Sequence, residues 1–334
     1  MNRPDLTISI ISYNTSGLLK DCLNSVYENV KDIKFEIIVV DNSSTDDSPE
    51  MVKKEFPQVT LIENKENVGF AKANNQAFNR SKGRFFLLLN SDTKVLSHSI
   101  EGMVEFMDLH PDVGAVGCEQ IRPDGSIQPT INIALNMWTN LWLIFLRLFQ
   151  VKRLVSSSKQ ATFMANYLRG VSGKTVNSYL NHYLDKREPY EVDWVSGVCL
   201  LVRRETINEV GLLDENFFMY TEDVDWCLRM KQRRWKIYFL PGSRIIHYIG
   251  QSSNEGQFDD LYPQRFKSIF YFFKKHYGRK AVILLKILVI LSMLIQMELL
   301  LILYFLSDKQ EVVRARLKNA SDLLSLACFC SKRG

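Results

Sequence analysis

Residues 85–92 read Phe85-Phe86-Leu87-Leu88-Leu89-Asn90-Ser91-Asp92, five apolar side chains followed at once by three polar ones. A strand that is apolar on both faces must be covered on both faces, as inside a parallel sheet flanked by helices. The same pattern recurs upstream. Residues 6–12 (LTISIIS) run into Tyr13-Asn14, and residues 35–40 (FEIIVV) run into Asp41-Asn42-Ser43-Ser44. Residues 59–62 read as a further strand. Between these strands, residues 17–29, 48–56 and 69–81 carry helical spacing, clearest in Leu18, Leu19, Cys22, Leu23 and Val26. The expectation is an α/β chain built on a Rossmann-like, mostly parallel sheet with flanking helices. Ligands of such sheets gather beyond the carboxyl ends of the strands. All three polar clusters stand there.

Downstream, Pro123-Asp124-Gly125 is a turn signature between two strands. Residues 136–149 (NMWTNLWLIFLRLF) are too short to span a bilayer, and Trp138, Trp142 and Phe145 suit a lipid interface or a core cover equally. Residues 136–190 read as a helical or mobile insertion in a catalytic domain covering 1–255. Residues 193–202 return to strand character, 203–210 to helix, 211–214 to turn and 223–233 to helix. A helical, membrane-associated tail covers 256–334. Within its residues 281–306, only Lys286, Ser292, Gln296 and Glu298 fall outside the apolar class. At about 100° per residue, Lys286, Gln296 and Glu298 point in three directions. That spread predicts a membrane-crossing or protein-buried helix, with a core or homodimer helix as the alternative. Basic residues flank both ends, so no orientation follows.

With 46% apolar and 24% charged residues, the chain can bury a substantial core. Its 42 basic and 37 acidic residues leave a charge of +5, too mild for a nucleic-acid partner and suited to an anionic membrane surface or phosphorylated substrate. The six cysteines form no C-x-x-C pair. Cys22, Cys118, Cys199 and Cys227 lie in apolar or periodic stretches and read as buried reduced thiols of a cytosolic protein. Cys328 and Cys330 make too small a set for a metal. No long apolar signal core opens the chain, so a cleaved secretory signal is not expected.

Four constellations carry chemistry. Asp41 can accept hydrogen bonds from a pyrimidine imide or a ribose hydroxyl, although a turn cap is an equal reading. Residues 67–75 (NVGFAKANN) open a helix behind Gly69, where small residues and the helix terminus favour a phosphate and Lys72 can meet it. Asp92 can hold a hard divalent cation, Mg²⁺ or Mn²⁺, provided another ligand faces it. His247 is the candidate. Glu222-Asp223-Val224-Asp225 places three acids at a helix start, where the dipole alone would favour them. The functional reading is a positioned general base.

In this order, the motifs resemble family-2 glycosyltransferases of the GT-A fold. The resemblance is carried by Ile10–Asn14, Val40–Asp46, Asn67–Ala71 with Asn74-Asn75, and Leu89–Asp92. It continues through Trp194-Val195-Ser196-Gly197, Gly211–Glu215, Phe217–Tyr220, Glu222–Asp225 and His247. It covers roughly residues 5–255 and is nearest to the rhamnosyltransferase-like branch. The resemblance implies a donor site of Ser12, Tyr13, Asn14, Asp41 and Asn42, continued by Gly69, Lys72, Asn74, Asn90 and Ser91. It implies Asp92 and His247 as metal ligands, Asp223 as catalytic base with Glu222 beside it, and Trp194, Gly197 and Asp225 on the acceptor side. The DxD-type position reads Asn90-Ser91-Asp92, so its first carboxylate is missing.

The implied reaction is an inverting transfer from a dTDP- or UDP-sugar to a glycan or polyprenyl-diphosphate-linked acceptor, on the cytoplasmic side of a membrane. A nucleotidyltransferase is the competing enzyme, but Ser12–Gly17 has one glycine and no nearby base before Lys20. A non-catalytic nucleotide-sugar-binding scaffold is the third reading, against which the acids at 222–225 argue.

Overall fold

The computed structural model describes residues 3–128, 131–132, 187–248, 258–306 and 310–329. The chain forms two compact units: Met1–Ile133 with Lys186–Phe258, and Ala134–Asp185 with Asp259–Gly334. The insertion expected at 136–190 lies outside the described residues apart from its last few, and Trp138, Trp142, Phe145 and Cys330 lie outside them entirely.

In the first unit, β1 (Leu6–Ser12), α1 (Ser16–Asn29), β2 (Phe35–Asp41), α2 (Ser48–Glu55), β3 (Thr60–Glu63), α3 (Phe70–Arg80) and β4 (Phe85–Asn90) follow the alternation read in the sequence. Then come β5 (Thr93–Val95), α4 (Ser99–Leu109), β6 (Val113–Ile121), β7 (Ile127–Gln128) and β8 (Ile131–Asn132). The unit closes with β9 (Tyr190–Glu191), β10 (Trp194–Val195), β11 (Cys199–Arg203), α5 (Arg204–Val210), α6 (Glu222–Gln232) and β12 (Lys236–His247). The main sheet runs β3-β2-β1-β4-β11-β6-β12-β5, with β7 beside β6 and β9 beside β12. It is mixed. The pairs β3-β2, β2-β1, β1-β4 and β6-β12 are parallel, whereas β11 is antiparallel to both β4 and β6. β5, β7 and β9 are antiparallel too. The apolar run of β11 is buried on both faces like a parallel strand, so its residues do not reveal its direction.

Packing explains these elements. α1 lays Leu19, Cys22, Leu23 and Val26 against Leu6, Ile8 and Ile10 of β1 in one apolar core. Their i, i+3, i+4, i+7 spacing is the stripe of a helix lying on a sheet. Each such side chain contributes about 1.5–3 kcal/mol when buried. Asp124 caps its own turn through Ser126, Gly125 takes φ 79°, and Arg122 N–H donates to Ser126 O, closing the β6–β7 hairpin at the expected place. Cys22, Cys118, Cys199 and Cys227 are free and buried, and burial pushes the Cys22 and Cys227 thiols up to about 12.

The register of β1, β2 and β4 decides where function can sit. Ser12 pairs with Asp41, and Ile11 pairs with Asn90. The polar clusters that end these strands therefore share one sheet edge.

The second unit contributes α7 (Phe258–Leu306) and α8 (Gln310–Phe329). Gly278, at φ 83°, breaks α7 in two. Beyond the break, Ala281, Leu285, Val289, Ser292 and Met293 are buried. The opposite face, carrying Ile283, Ile287 and Leu291, is exposed. Among the described residues, no helix is long and apolar enough to cross a membrane. Lys286, one of the three supposedly scattered polar residues, tucks in half-buried, with its ammonium 5.4 Å from the Phe270 ring centroid.

Candidate active site

At the end of β2, Asp41 is 3% exposed. Its Oδ2 accepts from Ser44 N–H at 2.9 Å, while its buried Oδ1 has no hydrogen-bond partner among the described residues. Such an acceptor costs stability unless a ligand donates to it. Around it, Asn14 (φ 54°) and Ser43 (φ 65°) adopt left-handed backbone. Asn14 N–H donates to Ser44 Oγ at 2.9 Å, and Asn14 Oδ1 accepts from Thr45 N–H at 2.7 Å. The two strand ends are thereby stitched together, leaving Tyr13 exposed. Asn42 is buried, accepts from Asn64 Nδ2 at 2.9 Å and reaches Gly69 O at 3.4 Å.

Ser12 and Thr15 hydroxyls lie 3.1 Å apart, and Thr15 donates to Ser91 Oγ at 3.1 Å. This links the ends of β1 and β4. Asp92, 2% exposed, follows directly, and its Oδ1 stands 3.4 Å from His247 Nε2. The pairing of β5 with the end of β12 produces this meeting, since His247 opposes Thr93. His247 Nδ1 lies 3.0 Å from Gln128 Oε1 on β7. An amide oxygen can only accept, so Nδ1–H donates to it, and Nε2 is the ring nitrogen that faces Asp92.

Asp223 opens α6. Its Oδ2 accepts from Gly197 N–H at 2.9 Å, and its Oδ1 from Val224 N–H at 2.8 Å. Val198 O accepts from Asn90 N–H at 2.9 Å, so the segment that grips Asp223 is laced to the strand end that leads into Asp92. Glu222 is buried beside Asp223, with Oε2 lacking a hydrogen-bond partner among the described residues. Burial, then the negative charge of Asp223, raises the Glu222 carboxyl well above the usual range. The two preceding residues, Tyr220 and Thr221, both hold positive φ (70° and 72°). For a β-branched residue that is costly backbone, of the kind concentrated at functional sites.

The expected cluster is thus assembled along one edge of one unit, and a family model described as glycosyl transferase family 2 matches residues 7–211. The chain belongs to glycosyl transferase family 2. A glycosyl transferase family group 2 model also matches residues 160–308. The N-acetylglucosaminyl-diphospho-decaprenol L-rhamnosyltransferase of Mycobacterium tuberculosis is 26% identical over 256 residues, 72% of this chain and 76% of that protein. Rhamnosyltransferase WbbL of Escherichia coli is 32% identical over 92 residues, 28% of this chain and 33% of that one. Among solved structures, the mannosyltransferase PcManGT from Pyrobaculum calidifontis, in complex with GDP-Man and Mn²⁺, has a TM-score of 0.55 at 15% identity. It covers 99% of this chain and 89% of that chain. GalNAc-T7 with UDP, GalNAc and Mn²⁺ has a TM-score of 0.52 at 17% identity, covering 80% of this chain and 48% of that one. At such identities the likeness shows the fold: mixed α/β and GT-A-like.

Within this glycosyltransferase, several expected site residues have structural work instead. Gly69 (φ 84°) makes room for Phe218: a Cβ there would stand 2.4 Å from Phe218 O, which also accepts from Phe70 N–H at 2.7 Å. That first helical N–H is therefore occupied by protein. Asn74 is buried, accepting from Ser9 Oγ at 2.8 Å and donating to Phe70 O at 3.0 Å, so it fastens α3 to β1. Asp225 is fully buried on the inner face of α6, in an ion pair with Arg229 at 2.9 Å. Arg229 in turn caps Val210 O and Leu212 O. Lys72 is exposed, and Trp194 is half-buried in β10, opposite Asn132 of β8.

The partners of two residues were not read from the sequence. Gln128 supports His247 across 119 positions, and Asn75 anchors the 211–220 segment through Leu213 and Glu215. Neither has a local signal, because both partners lie far along the chain.

Among the described residues, no group of three His, Cys, Asp or Glu side chains is placed to hold a metal ion. Asp92 with His247 is a two-ligand set. It fits a cation whose remaining positions are filled by diphosphate oxygens and water, and does not fit a closed structural site.

Proposed function

We propose that this glycosyltransferase moves a sugar, with L-rhamnose the leading candidate, from a nucleoside-diphosphate donor to a hydroxyl of a polyprenyl-diphosphate-linked glycan. The observation that carries the reading is Asp223, fixed by the Gly197 and Val224 amides beside a buried acid and backbone-linked to the strand that leads to Asp92. Asp41 receives the donor's pyrimidine or ribose, which satisfies its buried Oδ1. dTDP- and UDP-sugars both offer the required donors. Ser12, Asn42, Asn90 and Ser91 shape that end of the cleft, with Tyr13, Asn14 and Lys72 at its rim.

Asp223 takes the proton from the acceptor hydroxyl as general base. The acceptor oxygen then forms its bond to the anomeric carbon as the bond to the diphosphate breaks, inverting the configuration. Asp92 and His247 would hold Mg²⁺ or Mn²⁺, which supplies charge neutralisation of the leaving diphosphate. The imidazole ligand favours Mn²⁺. Glu222, kept neutral, offers an O–H to the acceptor. Trp194 and Gly197 flank it. The relative from Mycobacterium tuberculosis, named for a decaprenyl-diphosphate acceptor, supports a lipid-linked acceptor, and catalysis at the cytoplasmic face of a membrane is part of the same proposal. Proposed domain bounds remain 1–255 for catalysis and 256–334 for membrane association.

The test is transfer from radiolabelled dTDP-rhamnose and a panel of UDP-sugars, with Mn²⁺ or Mg²⁺, to polyprenyl-diphosphate N-acetylglucosamine. Label in the lipid product with inverted anomeric configuration is expected. Transfer of the nucleotide moiety, or no turnover with any donor, overturns the reading.

A further inference from the structure

We propose that the exposed Ile/Leu stripe of α7 seats this enzyme on an anionic lipid leaflet, with the helix lying in the plane of the surface. Ile283, Ile287, Leu291, Leu294 and Ile295 are each between 44% and 58% exposed. Their spacing keeps them on one side of the helix, over a length of about 18 Å at 1.5 Å per residue. The helix is inverted relative to an ordinary surface helix. Ser292 is turned inward and Lys286 is half-buried over Phe270, while branched aliphatic side chains face water.

Charge selects the occupant. From Arg265 to Met297 the sequence contains no Asp or Glu, yet carries Arg265, Lys267, Lys274, Lys275, Arg279, Lys280 and Lys286. All but Lys286 are exposed. Lys280 lies one turn before Ile283–Leu284 and on the line of the stripe, at the start of the helical piece that follows the Gly278 break. An apolar stripe rimmed by cations is the composition of an interfacial helix on anionic lipid. Acids stand only outside this stretch of α7, at Asp259 and Asp260 before it and at exposed Glu298 after it, so the cations dominate the face that leads into the stripe. The proposal rests on the lipid-linked acceptor above for its purpose, while the surface is defined by the helix alone.

The test is co-sedimentation of the full chain with phosphatidylcholine vesicles, with and without phosphatidylglycerol. Binding is expected only where phosphatidylglycerol is present. Ile287→Glu with Leu291→Glu should weaken it at least about ten-fold per residue. Lys274→Gln with Lys280→Gln, which leaves the apolar face intact, should weaken it about five-fold per charge. Unchanged circular dichroism and melting establish that these surface variants fold. Wild-type protein that ignores phosphatidylglycerol vesicles, or a stripe variant that binds as well as wild type, overturns the proposal. So does a wild-type dimer that the stripe variant converts to monomer without any vesicle binding. Transfer to a short-chain, water-soluble acceptor should stay at the wild-type rate in the stripe variant, so failure of docking and failure of the enzymatic reading are read separately.

Discussion

Glu222 shows how much stability the site gives up. Its carboxyl is raised because the folded protein disfavours the charged form, so the folded state holds its proton more tightly than the unfolded chain does. Stability from this group is fully present below the ordinary glutamate range and is lost as pH rises through the folded value. Glu222→Gln should therefore melt higher than wild type at pH 8, with the gain vanishing at pH 4. A gain that is equal at both pH values would mean the carboxyl carries no such penalty. At the metal pair, Gln128→Leu should reduce Mn²⁺ affinity about ten-fold or more, measured by electron paramagnetic resonance titration, since partners behind a ligating histidine contribute that much. Unchanged affinity would separate Gln128 from the site. Asp41, Asp92 and His247 drew attention in the sequence because they stand at or directly after the ends of apolar strands, and Asp223 because it sits among three acids at a helix start. Gln128 did not, since nothing nearby in the sequence announces a hydrogen bond made 119 positions away.

The start of α3 was legible in outline and misread in detail. Gly69 before a run of small residues signalled close approach, and the approaching group is the Phe218 backbone instead of a phosphate. Gly69→Ala should cost about 1–3 kcal/mol, from the positive φ together with the displaced carbonyl. Thermal melting checks this, and an unshifted melting temperature would contradict it. In α6, three acids in a first turn invited a single functional explanation. The helix divides them: Asp223 bonds the Gly197 amide, whereas Glu222 and Asp225 face inward, Asp225 onto Arg229. Asp225→Asn should cost roughly 3 kcal/mol, because Arg229 loses its buried counter-charge. A loss of activity without a loss of stability there would restore Asp225 to the acceptor side.

At the scale of the whole molecule, the alternation of apolar strands and helices made the α/β class readable, and six strands of the main sheet do share one direction. The four that run against them, β5, β7, β9 and β11, were unreadable because burial on both faces looks the same whichever way a strand points. The C-terminal helix teaches a related lesson. Its composition marked it as apolar, and the division of residues 281–295 into a buried face and an exposed face is something only packing reveals. The central claim is that one sheet edge brings together a donor site and a carboxylate that deprotonates the acceptor. Asp223→Asn tests it most directly, with donor binding by calorimetry and transfer to the lipid-linked acceptor measured on the same sample. Donor affinity should stay within about three-fold of wild type while the transfer rate falls at least ~10²-fold. Wild-type transfer by that variant would contradict the account.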